Sequence, residues 1–408
     1  MSIDLSKFKN IKFDRRTSCK VCSQISDDPL FDLPGFPMTE IYVDCEVNER
    51  LGFVDQFFHF CGKCGHGQIA NVIDVELQYG ESEQFYFRAS QSATGRESAD
   101  FFIEFLNRVV KKRHLKTIVE VGCNDMYILN ALKSRADKLI GIDPILKDKQ
   151  EEYTKGNIIA IGDFLENVQL KDGMDIVLCK DTLEHVSEPR QFVKKIVDNA
   201  DNADNEPIFV FQFPLLETLL SGCRFDQVFH QHLNYFSLQS IIYMLEDLGC
   251  QLLDYTINEN HWGMILIAFR KSKNKSEYAG KFTKITSSQV LESYKVFKDN
   301  MCVTNDRLNL LKGEKIYGYG AALMLPALSY YLGNDFSSFE CILDDDKNKT
   351  GLSYINLPVT IRTTENINDI QDSIVLVTAI SAKNNVRNIL VKLAELNPKQ
   401  IIVPMATF

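Results

Sequence analysis

Apolar positions along the chain change period several times, and each change marks an element. Across 99–112 they recur at helical spacing, at Phe101, Phe102, Phe105, Leu106 and Val109. A strand, Thr117-Ile-Val-Glu-Val121, follows, then a glycine-containing turn and a helical stretch over 127–136. The next strand, 139–142, ends in Asp143-Pro144. Residues 175–179 and 207–212 read as two more buried strands, and 265–269 as a late strand that closes the sheet. Strands alternating with helices predict an α/β doubly wound sheet with helices on both faces.

Both flanks differ from this centre. Residues 1–80 are short, turn-rich and β-leaning. A polar, basic stretch at 270–276 reads as a linker, followed by a helical segment over about 276–311. A second alternating pattern begins at Lys315-Ile-Tyr-Gly-Tyr-Gly-Ala321, with further strands at 339–343 and 373–377. The expected division is 1–80, 81–272 and 273–408. A chain of 408 residues has length for three such units.

Composition narrows the function. Hydrophobic residues make up 45% and charged residues 25%, so the whole chain can fold. The net charge of −10 argues against a dedicated binder of nucleic acid polymers or anionic membranes, which needs clustered Lys and Arg. No 18-residue apolar stretch appears, and the first residues have no signal-type apolar core. Eleven cysteines, mostly scattered, read as reduced thiols in a cytoplasmic chain. A monomer or homodimer acting on a small molecule is expected.

Four cysteines stand apart. Cys19-Lys-Val-Cys22 and Cys61-Gly-Lys-Cys64, with 38 residues between the pairs, can supply four thiolates to one tetrahedral zinc. Gly65 permits the tight knuckle turn after the second pair. Four cysteine ligands leave no position for a metal-bound water, so the zinc is expected to be structural.

A ligand crevice is expected where the first central strand turns into its helix, at Glu120-Val-Gly-Cys-Asn-Asp125. Gly122 lets the backbone approach a ligand, with Asn124 beside it. Asp143, 21 residues beyond Gly122 and followed by Pro144, can accept two ribose hydroxyls. Asp163 and Phe164 can receive and cover an adenine, and Lys180 ends a neighbouring strand. The three-glycine pyrophosphate fingerprint is missing, with Met126 where such a turn favours glycine. S-adenosylmethionine, a sulfonium cation without pyrophosphate, matches Glu120, Asp125 and Asp143 better than NAD does.

These residues resemble the S-adenosylmethionine-dependent sugar C-methyltransferases that act on nucleotide-linked keto-deoxysugars. The resemblance rests on the cysteine pairs, on 120–125, on Glu184-His185-Val186, on 225–238 with His230-Gln-His232, on His261-x-Gly263 and on Gly318-Tyr-Gly-Ala321. It implies a small zinc-binding domain, a class I methyltransferase domain and a C-terminal Rossmann-like domain, with substrate among the three. It implies that an enolate is methylated after His232 acts as base, with His185 as a second active-site histidine. Gln231 stands where the family has Glu, and Phe229 where it usually has Tyr. A further family tyrosine falls near Tyr86 or Phe87, and the lysine after the C-terminal Gly-Ala is replaced around Leu323 and Met324. Enolate formation needs an oxygen-facing donor, which Phe229 cannot be. Tyr235 and Tyr127 are the candidate substitutes. An acceptor hydroxyl or amine would need no enolate, which leaves O- or N-transfer open, as well as a binding protein without turnover.

Plainer readings cover other residues. His59 and His114 are expected in hydrogen-bonded core. His230 and His261 can serve packing or the substrate pocket. His66 borders the knuckle, Phe53, Phe57, Phe58 and Phe60 belong to the small core, and Asp344-Asp-Asp346 reads as an exposed turn.

Overall fold

A computed structural model describes residues 3–25, 28–74, 77–78, 88–111, 114–170, 173–200, 206–261, 263–380 and 383–404. The N-terminal part supplies β1 (Phe13–Arg15), β2 (Phe31–Pro37), β3 (Tyr42–Asp44), β4 (Phe53–Cys61), β5 (His66–Ile69) and β6 (Asn71–Ile73). Alternating burial along β2 and β4 places Phe31, Leu33 and Phe58 inward, where Phe31 and Phe58 stack at 4.8 Å.

The centre holds β7 (Leu115–Val121), β8 (Ala136–Ile142), β9 (Ile158–Ile161), β10 (Ile176–Lys180), β11 (Ile208–Pro214), β12 (Asn234–Tyr235), β13 (Cys250–Asn258) and β14 (Met264–Lys271). Among the described residues, seven of these strands form one sheet in the order β13-β14-β11-β10-β7-β8-β9. β7 to β11 run parallel, and β14 is antiparallel to both its neighbours. This is the class I methyltransferase arrangement, a doubly wound sheet with one reversed strand near its edge. Helices α1 (Ala93–Val109), α2 (Tyr127–Leu132), α3 (Pro189–Asn199) and α4 (Leu238–Asp247) accompany it. Side-chain caps start two of them: Ser92 accepts from Gly95 N–H, and Ser237 and Ser240 form a capping box.

The helix expected over 127–136 stops at Leu132, because Ala136 already pairs with Leu115 in the sheet. Likewise the chain leaves the sheet only after Lys271, and α5 (Ser287–Leu310) starts where Thr286 and Gln289 make a capping box.

The C-terminal part supplies β15 (Ile316–Tyr319), β16 (Cys341–Asp344), β17 (Leu352–Tyr354), β18 (Ile361–Thr363), β19 (Ile374–Val377) and β20 (Gln400–Ile402). Its sheet runs β18-β16-β15-β19-β20, parallel throughout. Among the described residues, two strand pairings cross the expected divisions. β12 joins β5 in the N-terminal sheet, and β17 pairs with β3. Among the described residues, no helix is long and apolar enough to cross a membrane.

Candidate functional site

The loop after β7 is unusual in its backbone. Gly122, Asn124 and Met126 have φ of +74°, +49° and +61°, all left-handed. A Cβ on Gly122 would collide with the Thr182 hydroxyl at the end of the neighbouring strand. Met126 is fully buried, and its sulfur lies over Gly141, where only hydrogen leaves room.

Carboxylates gather along this edge. Asp143 is 8% exposed; Oδ2 accepts from Asn124 N–H at 2.8 Å and Oδ1 from Ile145 N–H at 3.1 Å. Burial pushes it up to about 6, and the two N–H donors offset only part of that. A carboxylate accepts about four hydrogen bonds, so capacity remains for a ribose diol. Pro144 opens the 3-10 turn Pro144–Leu146. Asp163 accepts from Phe164 N–H and from the Asn167 amide, each at 2.8 Å, and the Phe164 ring is 44% exposed.

Glu120 is buried, and its Oε2 has no hydrogen-bond partner among the described residues. Burial raises it well above the carboxylate range, the Lys180 ammonium opposes this, and Asp143 and Asp125 add to it. Lys180 is ion-paired with Asp181. Asp181 also accepts from Gln212 Nε2 at 2.7 Å. Burial pushes Asp181 up, but Lys180, His261 and Gln212 outweigh it and hold it below the ordinary value. Acidic groups at 120, 143 and 181 with one ammonium at 180 suit a ligand carrying an amino-acid zwitterion, a sulfonium and a ribose. The orphaned Glu120 oxygen and the cradle at Gly122 make S-adenosylmethionine fit.

Beyond β10 lie the histidines. The His185 and His232 rings are 5.0 Å apart and nearly perpendicular, at 68°. His185 Nδ1 donates to the Gln231 carbonyl at 2.9 Å, since a carbonyl can only accept. Its Nε2 faces Glu184 Oε1 at 3.9 Å. One ligand atom each of Glu184, His185 and His232 lies within 4.8 Å of the others. Burial lowers both histidines below the ordinary imidazole value; the Gln231 carbonyl and Asp181 partly restore His185, whereas His185 lowers His232 further. Burial also raises Glu184 well above the carboxylate range, with Asp181 adding to it. The lowering favours the neutral form of both imidazoles and makes each a weaker base than a free imidazole. His232, 4% exposed, packs against Phe229 with ring centroids 4.1 Å apart and a tilt of 36°.

Residues 94–255 match the family model for a methyltransferase domain. The chain carries an S-adenosylmethionine-dependent methyltransferase domain. A curated relative, C-methyltransferase NovU of Streptomyces niveus, is 21% identical over 263 residues, 61% of this chain and 59% of that protein. Among solved structures, an S-adenosylmethionine-dependent methyltransferase from Mesorhizobium loti shares 11% identity at a TM-score of 0.35, covering 44% of this chain and 99% of that one. The N-methyltransferase NodS of Bradyrhizobium japonicum, in complex with S-adenosylhomocysteine, shares 11% at 0.34, covering 44% and 88%.

The methyltransferase domain receives other residues differently from expectation. The Tyr235 hydroxyl accepts from Phe229 N–H at 3.3 Å and donates to the Gln227 carbonyl at 3.4 Å, so it braces this turn instead of facing an acceptor. Tyr127 donates to Asp100. His230 is structural: Nε2 donates to the Phe36 carbonyl at 3.0 Å and Nδ1 accepts from Gln56 at 3.2 Å. The Gln231 side chain turns away from His232 to Thr39, whose hydroxyl donates to its Oε1 at 2.8 Å. His261 is near Asp181, which raises it against a larger lowering by burial, to about 4. His114 is an exposed partner of Asp137 instead of a core residue. Tyr86 and Phe87 lie outside the described residues. Asp181 and Arg16 carried no distinguishing pattern in the sequence, and Glu184 stood there only as part of Glu184-His185-Val186.

The cysteines converge. Cys19 and Cys64 sulfurs are 3.6 Å apart, and Cys22 and Cys61 3.5 Å. A disulfide needs about 2.05 Å. Sulfurs around a tetrahedral zinc at about 2.3 Å stand about 3.8 Å apart. Gly65 has φ +77° and donates to the Cys61 carbonyl at 2.8 Å, closing the second knuckle. The four residues fit one structural zinc.

Proposed function

We propose that this chain moves a methyl group from S-adenosylmethionine to a nucleotide-linked keto- or deoxysugar, with carbon as the receiving atom. The observation that carries it is the pair of imidazoles, His185 and His232, with ring centroids 5.0 Å apart, presented beside the cofactor crevice by two loops. Bound S-adenosylmethionine would supply an electrophilic methyl. Asp143 would take its ribose hydroxyls, Asp163 and Phe164 its adenine, and Glu120, Asp181 and Lys180 its charged amino-acid end. Gly122 and Asn124 would line the crevice, with Pro144 fixing the loop after Asp143. His232 would remove the proton beside the sugar ketone, and His185 would hold the acceptor beside it. His261 and Phe229 would border the acceptor. Cys19, Cys22, Cys61 and Cys64 would hold one structural zinc, within a three-part division at about residues 80 and 272. The likeness to a C-methyltransferase supports the carbon acceptor.

A second reading, transfer to oxygen or nitrogen, is favoured by one feature. Phe229 offers no donor and the Tyr235 hydroxyl already bonds two backbone groups, so neither can hold an enolate oxygen. Methyl-labelled S-adenosylmethionine incubated with a metabolite extract, followed by mass spectrometry, decides between them. Label on a sugar carbon, lost in His232→Ala, is the expected result. Label on oxygen or nitrogen selects the second reading, and no labelled small molecule refutes both.

A further inference from the structure

Arg16 stands three residues before Cys19, and its guanidinium is buried at 5% exposure. It reaches both histidine-bearing loops. Nη1 donates to the Leu233 carbonyl at 2.8 Å and to Asn234 Oδ1 at 3.2 Å. Nη2 donates to the Ser187 carbonyl at 2.6 Å and to the Val186 carbonyl at 3.3 Å. Those acceptors immediately follow His232 on one side and His185 on the other. Asn234, held by Arg16, donates in turn to the Val186 carbonyl at 2.7 Å. Leu233 N–H bonds the Glu184 carbonyl at 2.8 Å. The His185–Gln231 hydrogen bond spans the same two loops.

The arginine is itself anchored through the cysteine-bearing module. Arg16 N–H bonds the Ala70 carbonyl at 2.9 Å. Gln68, on β5 just after Cys64, accepts from Lys20 N–H and donates to the Ser18 carbonyl, each at 3.0 Å. Lys20 is ion-paired with Glu188. A planar fork of five N–H donors can join two loops at once; a single ammonium is a compact point charge without that geometry.

We propose that Arg16 is a positioning residue, through which the cysteine-bearing module fixes the spacing and tautomer of the His185–His232 pair. This rests on the pair serving the methyl acceptor. Arg16 would not touch the acceptor. It would hold the carbonyls that set where each imidazole stands, joining the cysteine-bearing module to both histidine loops.

The test uses the full chain labelled with 15N-histidine, read by two-bond proton–nitrogen correlation at neutral pH, which separates the tautomers. Wild type should show His185 as a single Nδ1–H tautomer and His230, bonded to Phe36 through Nε2, as the opposite one. Arg16→Ala should lose the single His185 tautomer while His230 keeps its own. Millimolar guanidinium, but not urea, should restore it by refilling the vacated hole. Should Arg16→Ala fail to fold, Arg16→Lys keeps the charge without the fork and should also lose the single tautomer. An unchanged His185 in either folded variant overturns the proposal, as does joint loss at His185 and His230, which marks general unfolding. Calorimetry with S-adenosylhomocysteine on the wild type reads the cofactor site separately. If it fails while the tautomer result holds, the functional reading falls and the strut stands.

Discussion

Replacing Asp143 by asparagine should separate binding from stability in opposite directions. A buried carboxyl at about 6 in place of its ordinary 3.8 burdens the ionised folded chain by roughly 3 kcal/mol, at about 1.36 kcal/mol per tenfold change in acidity. Asparagine removes that burden. Its carbonyl can keep one of the two backbone N–H bonds, from Asn124 or Ile145, while its amide faces the other donor. That mismatch costs about 1–3 kcal/mol. The two terms nearly cancel, so Asp143→Asn should melt at or slightly above the wild-type temperature at neutral pH. The sign follows from the direction of the shift: the folded value lies above the unfolded one. The carboxyl therefore favours the fold fully below 3.8 and loses that contribution as pH climbs through about 6. Any advantage of the variant should shrink as the solution is acidified.

Cofactor binding should move the other way. One ribose hydroxyl loses its acceptor and the other keeps only a neutral one. Charge-assisted bonds of about 1.5–3 kcal/mol each make the loss of affinity on the order of a hundredfold. Calorimetric titration with S-adenosylhomocysteine between about pH 5 and pH 8, beside thermal melts, reads both quantities. Wild-type affinity should fall roughly tenfold for each pH unit below about 6. The variant should be flat across that range. Equal affinity in the variant, or a wild type without pH dependence, would refute the ribose assignment.

Two further outcomes are expected. Purified chain should carry about one zinc, and Cys61→Ser should lose it together with on the order of 4 kcal/mol of stability, measured by metal analysis and denaturant melts. Wild type without metal at full stability would remove the zinc. Phe164→Ala should weaken S-adenosylhomocysteine by about tenfold through lost stacking on adenine. The melting temperature should not change, because the ring is already 44% exposed. A stability loss without an affinity loss would make Phe164 a packing residue.

The central sheet was legible because β7, β10 and β11 are buried along nearly their whole length around apolar cores at 118–119, 176–179 and 208–211. Glycine and acidic residues at their ends then located the crevice. What was not legible are the joints between modules. β12 has two residues and β17 three, too few to show a period, and their partners β5 and β3 are far away in the chain. In the site, paired cysteines announce their convergence by spacing alone, whereas a hydroxyl's partner is decided only by tertiary contact. Tyr235 therefore looked like a free donor and is instead tied to the backbone of 227–229. Arg16 is one arginine among many charged residues, and only the folded chain brings it under both histidine loops.

Gln231 changes meaning in the same way. As a sequence position it stands where the resembling family carries a carboxylate, which suggests a weakened base. In the folded chain its backbone carbonyl orients His185, and any residue supplies a carbonyl. Its side chain reaches Thr39, accepting from the hydroxyl at 2.8 Å and donating to the Thr39 carbonyl at 3.5 Å. A carboxylate in this orientation could make the first bond but not the second, and would leave a buried charge against a carbonyl oxygen. Glutamine here is the residue that docks the β2–β3 connection onto the histidine loop. The exchange at 231 thus bears on how the N-terminal module seats, and the orientation of His185 survives it. Loss of turnover does not follow from that substitution. The chemical consequence rests on Phe229, whose ring packs against His232 at 4.1 Å with a 36° tilt and offers no donor, while the Tyr235 hydroxyl is already bonded to backbone.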